Sequence, residues 1–126
     1  MMEVISGIVS ALIAYIFNRI LIKWQKENAI VLIIPLVEEV SKTLTASLMG
    51  GSIIGAHVVF GFIEALYDLI NTKSQKAAPI AALLSIISHS VFGIISYYIT
   101  IWTGWVALGI IAATIIHSTW NYFITH

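Results

Sequence analysis

The stretch Pro35-Leu-Val-Glu-Glu-Val-Ser-Lys42 places two adjacent carboxylates and an ammonium inside an apolar segment that is long enough to cross a bilayer. One charged side chain at the bilayer centre costs roughly 2.5–3.5 kcal/mol on insertion scales, so three would cost about 8–10 kcal/mol before any compensation. That cost is comparable to the net stability of a whole domain. The stretch therefore predicts either buried partners for these charges or a chemical role for them.

The composition around this stretch is that of a polytopic membrane protein. The 126-residue chain is 60% hydrophobic and 10% charged, its mean hydropathy is +1.00, and it contains no cysteine. Its length predicts a single domain over residues 1–126. The formal net charge of zero, without a basic block, argues against a nucleic-acid partner. The missing cysteines exclude disulfides and thiolate catalysis.

Apolar runs of about 20 residues divide the chain into five predicted transmembrane helices. We expect an all-α bundle in the lipid bilayer, with spans at about 3–22, 29–49, 52–71, 79–100 and 104–124. The basic residues outside the predicted spans or at their ends all fall on one side, so the N-terminus is predicted outside and the C-terminus inside. These residues are Arg19, Lys23, Lys26, Lys73 and Lys76. Gly51 and Gly55 form a small-xxx-small pair, which predicts close packing of the second and third spans.

The polar residues within the spans are predicted to share one depth. Counting about 1.5 Å per residue from the basic side places them in one slab between the midplane and the inner leaflet. The members of this slab are Glu38, Glu39, Glu64, His89 and His117. His57 is expected in the outer half of the membrane, and we expect both His57 and His126 to lie outside any site.

The spacing within the helices strengthens this prediction. Lys42 lies four residues after Glu38 and three after Glu39, so it can neutralise one carboxylate but not both equally. The other carboxylate needs a histidine, water or a proton, and a carboxylate pair that shares a proton suits general acid–base chemistry near neutral pH. Pro35, one turn earlier, is expected to weaken the helical hydrogen-bond ladder beside the site.

On these residues the chain resembles the PrsW-type intramembrane proteases, relatives of the CAAX prenyl proteases and of bacteriocin-processing membrane proteins. That superfamily carries Glu-Glu-x-x-Lys or Arg on one helix, Phe-x-x-x-Glu or His on the next, a histidine on a later helix, and His-x-x-x-Asn on the last. The matching residues are Glu38-Glu39-Val-Ser-Lys42, Phe60 to Glu64 followed by Tyr67, His89, and His117 to Asn121. Lys42 and Glu64 indicate a minimal-length member of the PrsW branch, in which Ala65 replaces a frequent asparagine.

The resemblance implies an intramembrane endopeptidase of a prokaryotic inner or plasma membrane. Its substrate would be a single-span membrane protein or a membrane-associated peptide, and homo-oligomerisation is left open. The resemblance implies that Glu38 is the base, supported by Glu39 or sharing a proton with it. It implies that Glu64 and His89 orient the water and that His117 and Asn121 bind the oxyanion. The supporting residues would be Lys42, Phe60 and Tyr67. No cofactor is expected on this mechanism.

Three alternatives stay open from the sequence, and the third, after the two described next, is a non-catalytic membrane adaptor. A zinc-dependent intramembrane metalloprotease would use Glu38, Glu64, His89 and His117 as ligands, although no His-Glu-x-x-His signature is present. A proton- or ion-coupled transporter or small channel would also place Glu, His and Lys at the midplane. The five spans and the lack of an inverted repeat argue against transport. Asp68 is the only aspartate, which excludes an aspartyl protease dyad.

Overall fold

The structure, a computed structural model, describes all 126 residues apart from the side chains of residues 24–29. The chain forms five α-helices: α1 Met2–Asn28, α2 Ile34–Leu48, α3 Ile53–Asn71, α4 Ala77–Thr103 and α5 Val106–Thr125. The backbone as described contains no β-strand, so the predicted all-α bundle is confirmed. Of the basic residues used for the orientation, Lys26 lies outside the described side chains.

Four of these helices are long and apolar enough to cross a membrane, namely Met2–Lys23 within α1 and the whole of α3, α4 and α5. The protein is therefore a multi-pass membrane protein. The predicted second span differs from the other four, because α2 has only 15 residues and carries Glu38, Glu39 and Lys42. It follows a π-helical segment, Ala29–Ile33. The count of five crossings and the direction of the termini stay predictions.

Pro35 lies at the start of α2, immediately after the π-helical segment. Proline has no amide hydrogen, and the first turn of a helix is the place where a missing donor costs least. The hydrogen-bond pattern also changes there from π-helical to α-helical, which is typical of segments near functional sites. The sequence-based expectation of an altered ladder at Pro35 agrees with this placement.

The bundle carries its apolar side chains outside and its charges inside. Along α4, Leu83, Ile87 and Ile94 are exposed, whereas on α2 the side chains of Glu39 and Lys42 are completely buried. This is the reverse of a soluble domain, in which charged side chains are almost never fully buried. It fits a bundle whose outer surface faces lipid and whose polar groups face one another.

The direction of the helices brings the basic residues to one end. Helices α1 and α2 are antiparallel, since Asn18 bonds to Glu38 while the hydroxyl of Thr45 reaches the carbonyl of Ser6. Helices α1 and α3 run in the same direction, because Gly7 packs at Val59 and the rings of Tyr15 and Tyr67 lie 6.5 Å apart. The end of α1, the end of α3 and the start of α4 therefore lie together. We call this the basic end, after Arg19, Lys23, Lys73 and Lys76.

The opposite end is packed through glycines, and here one prediction is wrong. A Cβ on Gly51 would lie 2.9 Å from the backbone nitrogen of Glu3, and one on Gly55 would lie 2.9 Å from the Cβ of Glu3. The glycine pair therefore packs against the start of α1, and does not join the second and third spans to each other. We call this the glycine end, defined by Gly7, Gly51 and Gly55.

Two further glycines bring α3 and α4 close beside the histidines. A Cβ on Gly93 would lie 2.6 Å from the Cβ of His57, and one on Gly61 would lie 3.1 Å from the Cβ of His89. Small residues allow helix backbones to approach closely in membrane proteins. The two histidines therefore face the interior from helices that are in direct backbone contact.

Candidate functional site

Seven ionisable side chains from four helices meet in the interior of the bundle, and we call them the polar cluster. Its members are Glu38, Glu39 and Lys42 on α2, His57 and Glu64 on α3, His89 on α4 and His117 on α5. The side chain of Glu64 is 36% exposed, whereas every other member is buried. The charges that made the sequence of α2 so costly thus find partners inside the protein.

Glu39 is the centre of the polar cluster. Its Oε1 accepts hydrogen bonds from Lys42 Nζ at 2.6 Å and from His117 Nδ1 at 2.9 Å. Its Oε2 lies 2.9 Å from His57 Nε2. A carboxylate in a dry interior needs this number of partners, because an unpaired buried charge costs several kcal/mol. Glu39 is therefore fully engaged by the protein.

Lys42 pairs with one carboxylate more closely than with the other, as the spacing predicts. Its Nζ lies 2.6 Å from Glu39 Oε1 but 4.0 Å from Glu38 Oε2. The same atom lies 2.9 Å from His89 Nδ1 and 4.4 Å from the centre of the Phe60 ring. The ring face stabilises the ammonium by a cation–π contact in this desolvated position.

The partners of the histidines determine which ring nitrogen carries hydrogen. Glu39 Oε1 accepts from Lys42, so His117 Nδ1 donates to it, and in the neutral imidazole His117 Nε2 is then an acceptor. An ammonium only donates, so His89 Nδ1 accepts from Lys42 and His89 Nε2 donates to Glu64 Oε2. Both nitrogens of His89 are used within the cluster, whereas His117 Nε2 has no hydrogen-bond partner among the described side chains.

Glu38 carries the other free acceptor. Its Oε1 accepts from Asn18 Nδ2 at 2.9 Å, but its buried Oε2 has no hydrogen-bond donor among the side chains that the structure describes. This Oε2 lies 3.9 Å from the free Nε2 of His117. Two acceptors at this separation suit a donor with two hydrogens, and water is the smallest such molecule. A single water between them would donate one hydrogen to each.

A cavity of about 570 Å³ leads from this pair to the surface. Its inner wall includes Glu38, His89 and His117, and its outer wall includes Ile124, which is 56% exposed. Since Ile124 lies near the end of α5, the cavity opens at the basic end of the bundle. We call it the basic-end cavity.

A second cavity of about 220 Å³ reaches the cluster from the side, between α1 and α3. Its rim includes the exposed residues Tyr15, Arg19 and Tyr67, and it extends inward to Glu38 and Glu64. We call it the lateral groove. The two carboxylates are thus accessible from the basic end and from the face between two membrane helices.

No family model, curated protein or solved structure matches this chain. The function is therefore inferred from the side chains of the polar cluster and from the two cavities that reach it. The four ordered motifs that resemble the PrsW-type proteases lie on α2 to α5. They contribute six of the seven members of the cluster, all except His57.

The remaining predicted residues lie around the cluster. Phe60 lies beside both Lys42 and His89, with its ring centre 4.4 Å from Lys42 Nζ and 5.0 Å from the His89 ring centre. Tyr67 is 52% exposed at the rim of the lateral groove. Asn121 lines the basic-end cavity and donates from Nδ2 to the carbonyl of Ile30 at 3.0 Å, so it connects α5 to the π-helical segment.

The interpretation of His57 as incidental is wrong, since its imidazole is completely buried against Glu39. A spacing signal was present, because His57 lies three residues before Phe60 and seven before Glu64, on the same face of α3. Asn18 was also missed as a partner of Glu38, and no spacing pattern marks it. His126, as expected, is exposed and lies outside the cluster.

The structure also changes the predicted zinc ligands. Glu38, His89 and His117 each offer one ligand atom within 4.8 Å of the others, whereas Glu64 is not part of this group and accepts from His89. Glu38 and His117 have free acceptor atoms, whereas both nitrogens of His89 are engaged. The Lys42 ammonium, 4.0 Å from Glu38 Oε2, would also repel a divalent cation. Of these three residues, Glu38 and His117 could therefore bind a metal ion with atoms that are not already hydrogen-bonded, whereas His89 could not.

Proposed function

We propose that this protein is an intramembrane endopeptidase, in which Glu38 and His117 activate a water molecule that hydrolyses a peptide bond of a membrane-embedded substrate. One observation carries the proposal: the free Oε2 of Glu38 and the free Nε2 of His117 lie 3.9 Å apart at the inner wall of a cavity. Hydrolysis inside a bilayer needs a held water and a proton acceptor, and this pair can supply both.

The proposed reaction begins with the water hydrogen-bonded to both acceptors. Glu38 or His117 takes one proton as the water oxygen forms a bond with the carbonyl carbon, which produces a tetrahedral oxyanion. The protonated base then returns the proton to the leaving nitrogen as the carbon–nitrogen bond breaks. The products are a carboxylic acid and an amine, and the base is regenerated.

The developing oxyanion needs hydrogen-bond donors. Asn121, which lines the basic-end cavity, has a second amide hydrogen besides the one given to Ile30, and we assign it to the oxyanion. Lys42 is fully buried and lines neither cavity, so we assign it to holding the carboxylate of Glu39. We reassign His117 from oxyanion binding to the activation of water, because Nε2 of its neutral imidazole accepts in this tautomer.

The resemblance to the PrsW-type proteases supports the substrate class. A single-span membrane protein or a membrane-associated peptide could approach the carboxylates through the lateral groove, while water reaches them through the basic-end cavity. The apolar exterior supports a reaction within a membrane, and by the same resemblance we propose a prokaryotic inner or plasma membrane.

The test is cleavage of single-span model substrates by the purified protein in lipid nanodiscs. We expect Glu38→Gln to lower the rate at least about 100-fold, because it removes a general base. Glu3→Gln, an exposed glutamate on α1, is the control and should cleave normally. Unchanged cleavage by Glu38→Gln would overturn the proposal. A proton flux into liposomes that depends on Glu38, without cleavage, would support the transporter alternative.

A zinc-dependent mechanism is the second candidate, favoured by the ligand-like grouping of Glu38, His89 and His117. Zinc would activate the water by lowering the pKa of the water, and Glu38 and His117 would bind the zinc ion. Elemental analysis of the active protein, with cleavage measured before and after chelation, separates the two mechanisms. Full activity without metal supports the acid–base mechanism, and one zinc per chain with loss of activity on chelation supports the metalloprotease.

A further inference from the structure

We infer that His57 is a positioning residue, which holds Glu39 from the side opposite His117 and so fixes the His117 tautomer whose Nε2 faces Glu38. The catalytic part of this inference rests on the proposed endopeptidase function, whereas the tautomer does not. No sequence motif discussed above includes His57. It lines neither the basic-end cavity nor the lateral groove, so it acts through Glu39 and not on a substrate.

The hydrogen bonds of His57 hold its ring in one orientation. Its Nδ1 lies 2.8 Å from the carbonyl oxygen of Ile53, one turn earlier on α3, and a carbonyl only accepts, so Nδ1 carries a hydrogen. Its Nε2 lies 2.9 Å from Glu39 Oε2. One hydrogen must lie between these two atoms, because neither the ring nitrogen nor the carboxylate oxygen can bond without it.

The packing of α4 prevents the ring from moving away. A Cβ on Gly93 would lie only 2.6 Å from the Cβ of His57, so the α4 backbone is in direct contact with the histidine. His57 is also completely buried. Both its rotamer and its distance from Glu39 are thus set by the contact of two helices.

The two oxygens of Glu39 have separate tasks. Oε1 accepts from Lys42 and His117, and among the described residues His57 is the one partner of Oε2. Loss of His57 would free Oε2 and allow the carboxylate to rotate away from His117. In a catalytic triad a carboxylate orients the histidine base. Here Glu39 orients His117 in the same way, and His57 in turn orients Glu39.

The first test uses the unmodified protein. Its four histidines can be labelled with ¹⁵N and assigned by single substitutions to glutamine. We expect the ¹⁵N shifts of His117 to show hydrogen on Nδ1 and a bare Nε2. The opposite tautomer would overturn the inference, and for this measurement the His117→Gln substitution suffices as the assignment and no active enzyme is needed.

The second test compares His57→Leu, which removes the hydrogen-bond partner of Glu39 Oε2, with His57→Gln, which keeps a polar side chain at this position. We expect His57→Leu to shift His117 toward the tautomer with hydrogen on Nε2, and to lower kcat by about 10–100-fold with little change in KM. His57→Gln should recover part of both effects. His126→Gln, an exposed histidine on the same chain, should change neither.

The two proposals fail in different ways. An unchanged His117 tautomer in folded His57→Leu overturns the positioning role, whether or not the protein cleaves. A shifted tautomer in a protein that cleaves no substrate supports the positioning role and counts against the endopeptidase. If His57→Leu does not fold, the tautomer of the unmodified protein and of His57→Gln decides the question.

Discussion

The glycine end and the basic end of the bundle are built from the same helices in opposite ways. At the glycine end, a Cβ on Gly7 would lie 2.6 Å from the Cβ of Val59, so α1 and α3 touch through their backbones. Two turns further along, Tyr15 and Tyr67 lie at the rim of a cavity of about 220 Å³ between the same two helices. The two helices are in close contact at one end and line a cavity at the other.

The difference shows how a small membrane protein makes room for polar chemistry. Between membrane helices there is no strong hydrophobic driving force, so close packing of small residues supplies much of the association. The glycine end provides this contact, and the cavities toward the basic end leave space beside the polar cluster. We therefore expect substitutions at the glycine end to change stability, and those at the cluster to change stability and function together.

Glu39→Gln should have the largest effect. The substitution leaves the buried Lys42 ammonium without its closest counter-charge, and removal of one partner of a buried ion pair costs about 3–5 kcal/mol. Unfolding by denaturant in micelles, followed by the fluorescence of the four tryptophans, measures this loss. Glu3→Gln, at an exposed position, is the control. Equal unfolding midpoints for the two variants would show that Glu39 does not organise the cluster.

Asn18→Ala should have the next largest effect and should lower both the stability of the protein and its rate of cleavage. It removes the donor to Glu38 Oε1, and a hydrogen bond to a charged group contributes about 1.5–3 kcal/mol. Cleavage should fall as well, because the carboxylate loses its orientation. Ser10→Ala is a matched control on the same helix, since the Ser10 hydroxyl bonds only to the carbonyl of Gly7. Loss of cleavage in both variants to the same degree would contradict this assignment.

Gly7→Ala should separate stability from function. The added methyl group would lie 2.6 Å from the Cβ of Val59, and overpacking of this kind costs about 1–3 kcal/mol. Because Gly7 is at the glycine end, the fraction that remains folded should cleave at the normal rate. Cleavage per folded molecule, measured with the unfolding midpoint, tests this. A lower rate in the folded fraction would mean that the two ends are mechanically coupled.

The convergence of the polar cluster could be predicted from the sequence because the depth of a residue in the membrane follows from the number of residues between it and the end of its helix. Each residue advances the chain by about 1.5 Å, so Glu38, His89 and His117 were expected at one level on separate helices. The spacing of Lys42 likewise predicted an unequal pairing with the two carboxylates. The catalytic roles of these residues stay predictions.

The neighbours of each side chain could not be predicted in the same way. Depth alone placed His57 outside the site, but the rotation of α3 and its contact with α4 at Gly93 turn the imidazole onto Glu39. The glycine pair at Gly51 and Gly55 predicted close packing without specifying the partner, which is α1. Crossing angles and helix rotations depend on the whole set of contacts, and a single periodic pattern does not contain them.

The smallest predicted effect tests the junction between the two ends, where the hydroxyls of Thr43 and Ser96 lie 3.1 Å apart and both residues are buried. Thr43→Val should cost about 1 kcal/mol in the unfolding assay, since it removes one buried hydrogen bond. Thr43→Val combined with Ser96→Ala should cost less than the sum of the single changes, because neither hydroxyl is then left unpaired. Strict additivity would mean that the two hydroxyls are not partners. Cleavage should stay normal in all three variants, because this contact lies outside both cavities.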